Sequence, residues 1–85
     1  MMSYRIIVQG QVQGVFFRVF AKKVADQLSI QGWVRNREDG SVEILAQGPM
    51  EAFVRELRKG PPSATVKEVS VMKEDSPVGK GFSIH

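Results

Sequence analysis

Across Gly10 to Arg18, in the stretch GQVQGVFFR, the chain changes its periodicity. Before it, Tyr4, Ile6, Val8 and Val12 alternate with Arg5, Ile7, Gln9 and Gln11, the two-residue repeat of a strand over Tyr4 to Val12. After it, Phe17, Ala21, Val24, Ala25 and Leu28 recur at helical spacing, which predicts an amphipathic helix over about 17–28. A strand that turns directly into a helix needs a sheet for the helix to cover, and the rest of the chain has to supply it. Gly10 either lets another backbone approach closely or relaxes the strand near its end.

The turn itself presents several backbone N–H groups to one point, near the positive end of a helix dipole. That is a natural anion cradle. Arg18 stands at its far lip with a planar guanidinium fork suited to phosphate or carboxylate. Taken alone, a tight two-glycine turn beside a solvated arginine accounts for the loop equally well. The stretch holds no Cys, Ser, Thr, His, Asp or Glu. A covalent phosphoenzyme has no nucleophile there, and a metal-dependent hydrolase has no ligand cluster. Chemistry at this loop therefore means binding an anion and letting water attack, with no metal and no cofactor expected.

Trp33 to Arg37 reads as a short second strand, with Trp33, Arg35 and Arg37 on one side and Val34 and Asn36 on the other. Glu38-Asp39-Gly40 is a hairpin signal, and Ser41 to Gln47 the return strand, Val42, Ile44 and Ala46 alternating against Glu43, Leu45 and Gln47. Gly48-Pro49 opens a second helix, with Pro suited to its first position and Met50, Phe53, Val54 and Leu57 as its apolar stripe. Gly60-Pro61-Pro62 stops it. Ala64 to Glu74 carries a strand around Val66 to Met72, and Phe82 to His85 is a short last strand. The order is βαββαβ plus a short C-terminal strand. It predicts a single α+β domain over 1–85, a two-layer ferredoxin-like sandwich with a mostly antiparallel sheet and two helices on one face. In that topology the first two strands run parallel, so the loop after the first and the end of the second lie at the same end of the sheet. Arg18 and Asn36 then share one edge of the molecule.

Composition narrows the classes. Eighty-five residues, 42% hydrophobic and 25% charged, suffice for one core. No run of about 18 apolar residues and no secretory pattern occur, so no membrane association is expected. The absence of cysteine excludes disulfides and thiolate chemistry and fits a cytoplasmic protein. The net charge of +3 suits an anionic partner, yet the basic residues are scattered in short groupings, which argues against nucleic acid. Phe16, Phe17 and Phe20 read as core or loop anchors, not as a base-stacking platform. The chain is expected to be a monomer.

With both segments in view, the chain resembles the acylphosphatases. Gly10-Gln11-Val12-Gln13-Gly14-Val15-Phe16-Phe17-Arg18 and Gly32-Trp33-Val34-Arg35-Asn36, continuing through Gly40, Val42 and Gly48, match that family's signature patterns in residue type and spacing. The resemblance implies metal-free hydrolysis of an acyl phosphate to a carboxylate and inorganic phosphate. By motif position, Arg18 is similar to the family's phosphate-binding arginine, Asn36 to the asparagine that holds the attacking water, and the loop of Gln13, Gly14, Val15, Phe16 and Phe17 to its phosphate cradle. Apart from the resemblance, Asn36 reads as a residue ordering the adjacent hairpin. One position departs: Ser29 stands where members commonly have Gly, and a left-handed backbone there costs Ser roughly 1 kcal/mol. If the last strand lies beside the second and parallel to it, the His85 carboxylate would end near Arg18. His85 itself reads as a solvated terminal residue, not a base. Two other functions suit the topology: an RNA-binding module and a non-catalytic anion-binding domain. The first is poorly served by Arg5, Ile7, Gln9, Glu43 and Leu45 on the open face.

Overall fold

In the computed structural model, which describes residues 2–85 with the Val15 side chain excepted, the elements are β1 (Ser3–Gln11), α1 (Val15–Gln27), β2 (Gln31–Asn36), β3 (Val42–Gln47), α2 (Met50–Lys59), β4 (Thr65–Glu74) and β5 (Phe82–Ile84). The sheet order is β4-β1-β3-β2-β5. β1 pairs antiparallel with β3 and β4, β2 antiparallel with β3, and β5 parallel with β2. Because β1 and β2 both run against β3, they run parallel to each other. This is the expected ferredoxin-like α+β sandwich, and the last strand lies beside the second and parallel to it, the condition under which His85 was expected to end near Arg18.

Alternation explains the core. Ile6 and Val8 of β1, Val34 of β2, and Val42, Ile44 and Ala46 of β3 are all fully buried, under Phe17, Ala21 and Ala25 of α1 and Phe53 and Leu57 of α2. Phe53 meets Phe82 of β5 edge-on at 6.0 Å, so the short last strand is sealed to the core by an aromatic contact as well as by its ladder. The expected one-sided alternation of β3 does not hold: Glu43 and Leu45, on the face away from the helices, are buried too. β3 is the central strand, and Arg5 and Arg35 from its two neighbours close over Glu43. Arg35 Nε donates to Glu43 Oε1 at 2.6 Å, Arg5 Nη1 pairs with Glu43 Oε2, and Arg5 continues to Glu74 on β4 at 2.7–2.8 Å. A buried carboxylate is tolerable when it is paired in this way.

Gly10 resolves the choice left open by its position. Its φ is +131°, and a Cβ there would stand 2.1 Å from the Thr65 carbonyl oxygen. The close approach of β4, at a register shift between Gln9 and Gly10, is what requires glycine.

Two local readings are corrected. Pro49 caps α2 instead of occupying its first turn; its carbonyl accepts the Phe53 N–H at 3.3 Å. Phe16 is no core anchor: α1 begins at Val15, which sets Phe16 about 100° around the wheel from buried Phe17, and it is 72% exposed.

α1 ends in a Schellman arrangement. Ile30 N–H donates to Ala25 O (2.8 Å) and Ser29 N–H to Asp26 O (3.3 Å), with Ser29 at φ 57°. The left-handed backbone anticipated at Ser29 is present. Ser29→Gly is therefore expected to stabilise the chain by about 1 kcal/mol, raising Tm by about 4–8 °C. Thermal unfolding by circular dichroism checks this, and an unchanged or lower Tm would mean the serine carries no strain.

Candidate active site

The site is built from three pieces of chain at one end of the sheet. Val8, Val42 and Asn36 lie in one row across β1, β3 and β2, so β2 ends level with Val8, three residues before the end of β1. Beyond that row the chain leaves β1 and enters α1 through Val12, Gln13 and Gly14. Gly14 is the N-cap at φ 99°, ψ 174°. A Cβ there would touch nothing within 4 Å, so conformation and not space demands glycine. No side chain caps the helix and no acidic residue sits in its first turn. The N–H groups of Val15, Phe16 and Phe17 thus begin the helix without a side-chain acceptor, at its positive end.

Arg18 is in the same turn, half-buried. Its Nη1 donates to the main-chain oxygen of His85 at 2.8 Å, and the His85 N–H donates to Val34 O at 2.8 Å, two residues before Asn36. The arginine is thereby connected to the end of β2 through β5. A second connection was not foreseen from the sequence. Gln13 Nε2 donates to Ser41 O (2.8 Å) and Arg37 O (3.2 Å), fastening the loop to both sides of the β2–β3 hairpin. Its signal was available only as a polar residue of the motif; which carbonyls it would meet depends on the sheet order.

Asn36 shares the helix-side face of β2 with Val34, as the alternation predicted, and helps line a shallow hollow with Arg35, Arg37 and Glu38. The hairpin is ordered without its Oδ1. Asp39 Oδ1 accepts from Ser41 N–H (3.0 Å) and Oγ (2.6 Å), bonds that hold the Asp39 carboxyl below its ordinary pKa. Among the described residues, the buried side-chain polar atoms without a hydrogen-bond partner in the chain are Arg18 Nε and Asn36 Oδ1. An unpartnered buried donor or acceptor costs roughly 1–3 kcal/mol. One unspent donor and one unspent acceptor therefore stand at this end of the sheet. A larger hollow beside α2, lined by Met50, Val54 and Arg58 among others, includes none of these residues.

The family model described as Acylphosphatase matches residues 4–84, nearly the whole chain. The chain belongs to the acylphosphatase family. An acylphosphatase from Bacillus subtilis (strain 168) is 48% identical over 79 residues, covering 89% of this chain and 87% of that one. The crystal structure of acylphosphatase from Bacillus subtilis superposes with a TM-score of 0.89 at 48% identity, over 100% of this chain and 99% of its own. The same domain shape also occurs inside a longer protein. The crystal structure of HypF from T. kodakarensis matches with a TM-score of 0.83 at 35% identity over 99% of this chain but only 12% of that one.

Proposed function

We propose that this chain hydrolyses the carboxyl–phosphate bond of acyl phosphates to a carboxylate and inorganic phosphate, without a metal. The phosphoryl group sits on the N–H groups of residues 13–17 and on Arg18, and Asn36 positions the attacking water. The observation that carries this reading is the pair of unpartnered buried atoms, Arg18 Nε and Asn36 Oδ1, on elements joined by the His85 and Gln13 hydrogen bonds. With Nη1 turned to His85, the Nε edge of the guanidinium keeps a donor for a phosphoryl oxygen. The Asn36 Oδ1 accepts a hydrogen bond from a water molecule and turns that water's lone pair towards phosphorus.

The leaving group decides what else is needed. A carboxylate whose conjugate acid has a pKa of about 4 to 5 departs without a proton. The water oxygen forms the new bond to phosphorus, the P–O bond to the acyl group breaks, and the electron pair leaves with the carboxylate. A water proton passes to a phosphoryl oxygen. An amide is a poor base, so Asn36 orients and does not deprotonate. Positioning and charge stabilisation then supply the rate, as is usual in phosphoryl transfer.

Among the described residues no three His, Cys, Asp or Glu side chains stand together as metal ligands, so the test includes a chelator. Phosphate release from benzoyl phosphate is expected to be unchanged by excess EDTA. Loss of release with EDTA would overturn the metal-free reading. No release under any condition would leave a non-catalytic anion-binding domain, and filter binding of single-stranded RNA across a salt series would then decide for or against a nucleic-acid partner.

A further inference from the structure

On the face of the sheet away from the helices, the Trp33 indole stacks on the His85 imidazole, ring centroids 5.6 Å apart and planes at 17°. The Arg35 guanidinium lies over the same indole at 5.3 Å and is itself held by Glu43. His85 Nε2 stands 3.0 Å from Ser83 Oγ. His85 lies one residue past the β5 ladder, which pairs only Phe82, Ser83 and Ile84 with β2. Its backbone is held by a single N–H bond to Val34, and its main-chain oxygen is the acceptor for Arg18 Nη1.

We propose that Trp33 is a positioning residue for Arg18, acting through the ring and then the main-chain oxygen of His85. This rests on the hydrolytic role assigned to Arg18. A residue beyond its strand's ladder rotates about φ and ψ, and each rotation swings its carbonyl. Stacking the imidazole on an indole that is already clamped by Arg35, together with the N–H bond to Val34, fixes φ and the place of the Cα that ring and carbonyl share. Only ψ is left, and the Arg18 hydrogen bond selects it. The oxygen stays where Nη1 meets it, and the Nε edge of the guanidinium is held towards the cradle. The sheet thus transmits rigidity from Trp33 on its solvent face, by way of His85, to a side chain on the helix side. Fixing a guanidinium before the anion arrives lowers the ordering cost of binding and improves the geometry of attack.

The test uses His85→Ala, Trp33→Leu, their combination, and Trp33→Phe. Calorimetric titration with inorganic phosphate and steady-state hydrolysis of benzoyl phosphate are measured on each. His85→Ala keeps the main-chain oxygen and removes only the ring, from an exposed position, so folding is not at risk. Each of the first two changes is expected to weaken phosphate binding and lower kcat by about tenfold, with the double variant no worse than the poorer single one. Trp33→Phe, which retains a stacking ring, recovers most of the loss. A change that affected stability alone would lower Tm and leave the phosphate Kd where it was. Unchanged Kd and kcat in His85→Ala, or losses that multiply in the double variant, would overturn the proposal. A wild-type chain that binds phosphate but releases none from benzoyl phosphate would instead overturn the hydrolytic reading.

Discussion

Arg18→Ala is expected to lose about 10²-fold or more in kcat on benzoyl phosphate and, at the same time, to bind inorganic phosphate at least about tenfold more weakly. Both losses follow from one cause. The guanidinium is the only side-chain cation in the first turn of α1, and in the proposed mechanism it faces a group that is a dianion in the ground state and carries its charge through the transition state. Its contribution is therefore partly uniform binding, which appears in phosphate affinity, and partly transition-state stabilisation, which appears in kcat. Folding is a minor concern, because among the described residues the side chain's hydrogen bond is the one to His85 O. A folded Arg18→Ala that keeps wild-type phosphate affinity would remove the cradle from the mechanism, and the anion would have to sit elsewhere.

Asn36→Ala separates the two quantities. Its proposed partner is the water, not the phosphoryl group, so kcat is expected to fall by about 10²-fold while phosphate affinity stays within about threefold. Stability gives an independent reading. Asn36 Oδ1 is a buried acceptor with no partner among the described residues, and removing such a group relieves a desolvation cost. The variant is expected to melt no lower than the wild type. If the residue ordered the hairpin instead, the opposite pattern would appear, a lower Tm with kcat near wild type. The Asp39–Ser41 bonds, which hold the turn without Asn36 Oδ1, argue against that outcome.

The unpaired pair shows why one kind of residue is hard to read before a fold is known. A polar side chain in a strand looks the same in sequence whether it is solvated, bonded or deprived of partners. Asn36 could be assigned to the face of Val34 from alternation alone. That its oxygen is enclosed and unpartnered depends on what α1 and the neighbouring strands place over it. Gln13 is the converse case. Its sequence context marks it as part of a cradle, where its backbone was expected to matter, but its side chain bridges to Arg37 and Ser41. Phe16 and Phe17 differ by one position and by nearly their whole exposure, and only the start of α1 at Val15 separates them.

The chain's own periodicities settled the element order, the helix stripes and the faces of the strands, because each of these is a local consequence of side chains repeating every two or every 3.6 residues. The left-handed residue at Ser29 was suggested only by the resemblance, as a position where family members commonly carry Gly, and its φ of 57° bears out that condition. What long-range packing alone decided is the double burial of β3 under the Arg5–Glu43–Arg35 pairing, the two bridges that fasten the loop to the hairpin, and the stack of His85 on Trp33. Apart from Arg35–Glu43, eight positions apart across the hairpin, those contacts join residues 24 or more positions apart, and no spacing along a chain encodes which distant partner a donor will find once strands have taken their places.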